Sequence, residues 1–175
     1  FLESARERTA SRAAIIAASP DCRKIVSFFD ENTSPEVHAS AATVAEFYRA
    51  AVTLLERRPD VAVILKPKRF NGLQPLGEVA ERLSGYRAAG RLHVWDRGVA
   101  DATKVIAISD AVVAMIGGAP DLEALCCGVP GLNFDPSGNE STPLHESGRG
   151  RVIFETVEEL VAGIDRVLDD ASGGI

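Results

Sequence analysis

The sequence has few of the features that mark secreted, membrane-spanning or nucleic-acid-binding proteins. It contains three cysteines in 175 residues, and this odd count, with Cys126 and Cys127 adjacent, does not suit a disulfide framework. No apolar run reaches the roughly 20 residues that a transmembrane helix needs. The net charge of −6 argues against a nucleic-acid-binding module, which normally needs a basic face for the phosphate backbone. We therefore expect a cytoplasmic globular protein with no transmembrane segment and no nucleic-acid partner.

Metal-ligating residues are also sparse. The three histidines, His38, His93 and His145, lie far apart, and none has the i, i+4 partner or the nearby cysteines of a metal site. The sequence therefore predicts neither a metal site nor a bound cofactor.

The chain begins without methionine, and its first residues, Phe1 to Arg8, are too polar for a signal peptide. We expect it to be a piece of a longer protein. Residues 1–20 are predicted to form a linker or docking helix that stops at Pro20. Residues 21–175 have the length of a single domain.

Short apolar runs rich in β-branched residues recur along the chain. Each is typical of a strand that is buried on both faces of a parallel sheet. The five predicted strands are Lys24 to Phe29, Val61 to Leu65, Leu92 to Trp95, Ala111 to Ile116 and Pro130 to Phe134.

Helix signals lie between and after these strands. Ser34 and Pro35 have the composition of a helix N-terminus, and apolar residues recur at helical spacing from Val37 to Leu55. Asp101 can cap a later helix, and Thr156 with Glu159 forms a capping box.

The alternation of strands and helices predicts an α/β fold, a doubly wound, Rossmann-like parallel sheet with helices on both faces. The expected strand order is 3-2-1-4-5. In such sheets ligands bind where the order reverses, here at the carboxyl ends of strands 1 and 4. This rule selects the loops Asp30 to Thr33 and Gly117 to Ala119, with Lys66 to Arg69 beside them.

The turn Gly117-Gly118-Ala119 joins a buried strand to a short helix, so that backbone N–H groups and the helix dipole could hold an anion. Glu123 on that helix could accept hydrogen bonds from ribose hydroxyls. A tight turn followed by a solvated glutamate explains these residues equally well.

The neighbouring loops carry charged and polar side chains. Lys66 and Lys68 could neutralise a diphosphate, although a solvated basic turn explains them slightly better. Asp30 and Asn32 leave the first strand at the switch point and could contact a ligand, but polar residues are common in such loops. Their roles stay open.

The segment from Asp110 to Pro136 reads DAVVAMIGGAPDLEALCCGVPGLNFDP. It resembles the nucleotide-sugar-binding segment of GT-B glycosyltransferases and polysaccharide biosynthesis proteins. In that family a strand leads to a turn of small residues, a Glu on the next helix, then Gly-x-Pro and another strand. The resemblance implies that Glu123 binds the ribose of a nucleotide-sugar donor and that the amides of Gly118 and Ala119 hold its diphosphate.

The resemblance further implies that this domain is the C-terminal, donor-binding half of a two-domain glycosyltransferase. Such a half would act in surface polysaccharide or glycoconjugate biosynthesis and would be inactive without its N-terminal acceptor-binding domain. The alternatives are half of a nucleotide-sugar epimerase, or a degenerate domain with a binding or regulatory role.

Four positions depart from the family pattern. Gly118 and Ala119 stand where Ser or Thr is often found, which removes hydroxyl contacts to phosphate. Asp121 places a negative charge at the helix N-terminus, where it would oppose a diphosphate. Met115 occupies the position of a second Glu that retaining members often carry.

Overall fold

The computed structural model describes residues 5–19, 21–31, 39–68, 77–95, 101–116, 119–138 and 145–170. The strands in these ranges are β1 (Lys24–Phe29), β2 (Val61–Lys66), β3 (Leu92–Val94), β4 (Ala111–Met115), β5 (Gly131–Phe134) and β6 (Ile153–Phe154). All neighbouring strands are parallel, and they form one sheet in the order β3-β2-β1-β4-β5-β6. The predicted α/β fold and the order of its first five strands are confirmed.

The helices are α1 (Ala5–Ala18), α2 (Ala41–Arg57), α3 (Glu78–Ala88), α4 (Ala102–Ile108), α5 (Ala119–Cys126), α6 (His145–Gly148) and α7 (Val157–Asp169). Side chains alternate along the strands, so that Val26 and Phe28 pack in one core while Ile25 and Phe29 pack in the other. Helices α2, α3 and α7 cover the first face, and α1, α4 and α5 cover the second. The sheet is therefore buried on both sides, as its continuous apolar strands predict.

An aromatic cluster fills the centre of the first face. Phe47 of α2 lies over the sheet between Phe28 of β1 and Phe134 of β5, with ring centroids 5.3 Å and 6.1 Å away, respectively. All three side chains are almost completely buried. Burying a side chain of this size contributes about 1.5 to 3 kcal/mol, so that the cluster fixes α2 above the central strands.

Helix α2 begins later than the sequence pattern predicts. Ser40 has an extended backbone, with φ −84° and ψ 164°, and its hydroxyl accepts a hydrogen bond from the backbone N–H of Thr43 at 3.1 Å. Ser40 is therefore the N-cap of α2, so this helix does not run unbroken from the predicted start at Pro35, and Ser34 and Pro35 lie outside the described ranges.

Strand β6 was not predicted, because a two-residue strand carries no readable periodicity. It extends the sheet beyond β5, where Asn133 pairs with Ile153 and Phe134 with Phe154. The four-residue helix α6 was missed for the same reason. The predicted caps of α4 and α7 are confirmed, since Asp101 accepts from the amide of Lys104 and Thr156 accepts from that of Glu159.

Helix α1 packs against α4 on the second face of the sheet. Its Ile15 is buried in the core, and the guanidinium of Arg12 donates to the carbonyl of Ile108 and to the carboxylate of Asp110, at 2.7 Å and 2.8 Å. None of the helices described is both long and apolar enough to cross a lipid bilayer.

Candidate functional site

The strand order reverses between β1 and β4, which lie side by side. Phe29 pairs with Ala114 at the end of their register, so that Asp30 and Ile116 leave the sheet at the same edge. Helix α5 begins at Ala119, after the predicted turn. Gly117, Gly118 and Asn32 lie outside the described residues, so their role in ligand binding stays a prediction.

Ile116 marks the point where the chain leaves β4. Its φ of 48° is in the left-handed region, which a β-branched residue rarely adopts. Such a conformation costs about 1 to 3 kcal/mol and persists only where the surrounding structure holds it. Here the Ile116 amide donates to the carbonyl of Phe134 at 2.9 Å. The end of β4 is therefore held in place where the strand order reverses.

Asp30 joins three elements at this edge. One carboxylate oxygen accepts from the Tyr48 hydroxyl of α2 at 2.6 Å, and the other accepts from the Lys68 amide after β2 at 2.5 Å. Burial raises the pKa of Asp30, although these two hydrogen bonds and the charge of Lys66 act in the opposite direction. Burial also raises the pKa of Tyr48. Both carboxylate oxygens of Asp30 therefore already accept hydrogen bonds from the protein.

The two predicted cations lie beside Asp30. Lys66 is 7% exposed, while the exposed side chain of Lys68 forms an ion pair with Glu31. The structure thus brings Asp30, Lys66 and Lys68 together after β1 and β2, with part of the positive charge already matched by neighbouring carboxylates.

The raised pKa of Asp30 predicts a specific pH dependence. Between its unfolded pKa, near 3.8, and its higher folded pKa, the native state holds a proton that the unfolded chain has lost. The contribution of Asp30 to the free energy of unfolding therefore falls as pH rises through this window. Asp30→Asn has no such proton, so we expect its stability to rise relative to wild type as the pH increases through this window.

Urea unfolding of both proteins at several pH values measures this difference. Asp121 also has a raised pKa, but it is present in both proteins and its contribution cancels. A stability difference that stays constant with pH would show that burial does not perturb Asp30.

The start of α5 is attached to β5. The carboxylate of Asp121 accepts from the amide of Leu122 at 2.8 Å and from the side-chain amide of Asn133 at 3.0 Å. Burial raises the pKa of Asp121, and the two hydrogen bonds partly oppose that shift. The Asp121 carboxylate, which we expected to oppose a diphosphate, is thus hydrogen-bonded to its own helix and to β5.

Glu123 lies two residues further along α5 and is exposed, as is Ala119. Within the described ranges, the carbonyl of Glu123 accepts from the amide of Cys127, but its side-chain carboxylate makes no hydrogen bond or ion pair. Its carboxylate is therefore available to a ligand at this end of the sheet. No hydrogen bond or ion pair in the same ranges joins Glu123 to Asp30, Lys66 or Lys68.

Two residues that shape this edge were not singled out from the sequence. Tyr48 was counted as an apolar position of its helix, and its hydroxyl bond to Asp30 has no sequence signal. Asn133 is 4% exposed in the middle of β5. A polar residue inside an otherwise apolar strand was the available signal for Asn133.

A cavity of about 420 Å³ lies at the opposite edge, near the amino ends of β5 and β6, with Leu132, Val152 and Arg166 among its lining residues. The Arg166 guanidinium already donates to the carbonyl of Gly150 at 3.2 Å. Ligands of parallel sheets bind at the carboxyl ends of the strands, so the ends of β1 and β4 remain the better candidate. In the part of the chain that the structure describes, no group of three His, Cys, Asp or Glu side chains could hold a metal ion.

Known proteins resemble this chain in sequence and in fold. A family model described as "Polysaccharide biosynthesis PFTS motif protein" matches residues 10–163. No curated protein matches the chain. Among solved structures, HepE of Anabaena in complex with UDP and glucose has a TM-score of 0.62 and 18% sequence identity, over 97% of this chain and 44% of HepE.

Two further structures share the fold. The N-terminal domain of Candida albicans trehalose-6-phosphate phosphatase has a TM-score of 0.59 at 14% identity, covering 98% of this chain and 39% of that one. Trehalose-6-phosphate synthase OtsA has a TM-score of 0.52 at 16% identity, covering 94% and 39%. The chain thus spans about two fifths of the length of these structures. The family match and the shared fold confirm the resemblance to polysaccharide biosynthesis proteins and GT-B folds.

Proposed function

Because the chain belongs to the family of polysaccharide biosynthesis PFTS motif proteins, we propose that it binds the nucleotide-sugar donor of a glycosyltransferase. One observation carries the proposal. Helix α5 starts at the carboxyl end of β4, beside the end of β1, and presents the exposed carboxylate of Glu123. This is the place in a parallel sheet where nucleotides bind.

The chemistry of the donor matches this edge. A ribose has hydroxyl groups that can donate to the Glu123 carboxylate. A diphosphate carries negative charge, which the dipole of α5 and the backbone N–H of Ala119 at its start would attract. Lys66, the last residue of β2, and Lys68, two residues after it, add positive charge at the carboxyl end of that strand. The same groups would stabilise the nucleoside diphosphate as it leaves the sugar.

HepE was solved in complex with UDP and glucose, so UDP and UDP-glucose are the first ligands to test on this chain. Because the chain spans 44% of HepE, we assign the acceptor site to a preceding N-terminal domain. On this proposal, residues 21–175 are the donor-binding half of a cytoplasmic enzyme and do not transfer sugar alone.

Calorimetric titration with UDP, GDP, CDP and ADP tests the proposal, and the variant Glu123→Ala tests the site. We expect one nucleotide to bind, and Glu123→Ala to weaken it by about 1 to 3 kcal/mol, or about 5- to 150-fold, because a charged hydrogen-bond acceptor is lost.

Glu81→Ala is the matched control, since Glu81 is an exposed glutamate near the start of α3, a helix on the other face of the sheet. This control should bind as wild type does. If a well-folded sample binds none of the four nucleotides, donor binding is wrong. Equal affinity of Glu123→Ala and Glu81→Ala would remove Glu123 from the site.

One observation favours a second candidate function. Gly118 and Ala119 offer no hydroxyl to a phosphate. A degenerate domain that keeps the fold and binds a protein partner instead would show no affinity in the same titrations.

A further inference from the structure

The first turn of α5 is packed unusually closely against β5. A Cβ atom added to Gly131 of β5 would lie 2.2 Å from the backbone oxygen of Asp121. Only a glycine lets the two backbones approach this closely. Beside this contact, the Asp121 carboxylate accepts a hydrogen bond from the side-chain amide of Asn133 at 3.0 Å. One backbone contact and one side-chain bond therefore attach the same residue of α5 to the same strand.

This attachment sets the direction of Glu123. Residues two positions apart on an α-helix differ by about 200° around its axis. Asp121 faces β5, so Glu123 lies on a nearly opposite side of the helix, in agreement with its exposure. A helix of eight residues does not maintain its own conformation in water. The direction of Glu123 thus depends on what holds the helix to the sheet.

We propose that Asp121 and Asn133 are a positioning pair that fixes the first turn of α5 and so presents the Glu123 carboxylate to the ribose of the donor. The proposal rests on the proposed function of the same site. It assigns Asp121 a role in favour of nucleotide binding, because its negative charge is held by the Asn133 amide and by the Leu122 N–H. Neither residue of the pair touches the ligand on this proposal.

An exchange of the two side chains tests the pair. Asp121→Asn leaves two neutral amides face to face, and Asn133→Asp leaves two carboxylates face to face. The double variant Asp121→Asn/Asn133→Asp restores one carboxylate and one amide. We expect each single variant to weaken nucleotide binding by about 5- to 50-fold, and the double variant to recover most of that loss.

Coupling to Glu123 separates positioning from general stability. If Asp121 acts through Glu123, Asp121→Asn should weaken binding in the wild-type background but have little further effect in Glu123→Ala. A loss of the same size in both backgrounds would overturn the proposal. Nucleotide affinity unchanged in the folded Asp121→Asn protein would also overturn it, even if that variant unfolds at a lower temperature.

Hydrogen exchange provides a test that needs no nucleotide. The backbone amides of Leu122 to Cys127 should exchange faster in Asp121→Asn than in wild type, and should slow again in the double variant. If wild type binds no nucleotide, the proposed function fails while this measurement still decides whether the pair holds α5. Unchanged exchange in both single variants would rule out the pair as the anchor of this helix.

Discussion

Replacement of Phe47 by alanine is expected to lower the free energy of unfolding by about 3 to 5 kcal/mol, the largest effect among the substitutions considered. The ring of Phe47 has no exposed surface and contacts Phe28 and Phe134 over the central strands. Its removal leaves a cavity between a long helix and the middle of the sheet. Because the surrounding backbone belongs to regular elements, that cavity has little freedom to close.

Urea unfolding measures this loss as a lower midpoint at an unchanged slope. Phe47→Leu is the matched control, since it keeps an apolar side chain in the same place and should cost much less. Leu122→Ala, at a side chain that is 52% exposed, should be nearly neutral. A cost below about 1 kcal/mol for Phe47→Ala would mean that α2 does not pack on the sheet as described.

Gly131→Ala is the second substitution with a large expected effect. The added methyl carbon would lie 2.2 Å from the oxygen and 2.9 Å from the carbonyl carbon of Asp121. Both are backbone atoms, so no side-chain rotation relieves the overlap, and α5 must move away from β5. We expect a loss of about 3 kcal/mol in the free energy of unfolding, together with weaker nucleotide binding.

Gly85→Ala provides the control for glycine replacement in general. A Cβ at Gly85, inside α3, meets no atom within 4 Å. Alanine is favoured over glycine in a helix interior, so this variant should be about 0.5 to 1 kcal/mol more stable than wild type. Thermal unfolding of both variants should therefore show shifts of opposite sign. Similar stability of Gly131→Ala and wild type would mean that α5 and β5 are further apart than described.

The fold was predictable because its central strands carry an unambiguous pattern. Runs such as Ile25 to Phe29 and Ala111 to Met115 are apolar on both faces, which only a covered parallel sheet explains. The start of α2 and the strand β6 were not predicted, because their sequence signals are weak. The N-cap of α2 at Ser40 has no proline after it to mark the helix start, and β6 is too short to be recognised from its two residues.

The candidate site was predictable in its position but not in its contacts. Strand order alone directed attention to the ends of β1 and β4, and the Gly-Val-Pro after Glu123 supported the resemblance to a known family. The direction of a side chain is a tertiary property. Asp121 is a negative charge at a helix start in the sequence, and its partner Asn133 lies on a strand twelve residues later. Likewise, nothing local to Asp30 indicates that Tyr48 will bind it.

The two outermost strands of the described sheet, β3 and β6, have three and two residues. At the β6 border, the amide of Gly150 donates to the carbonyl of Ile153 at 2.8 Å. Borders this short offer few unpaired backbone groups to a foreign strand, while the longer apolar strands stay enclosed between neighbours. This strand order therefore disfavours amyloid-like self-association, because the longer apolar strands β1, β2 and β4 do not lie at the edges of the described sheet.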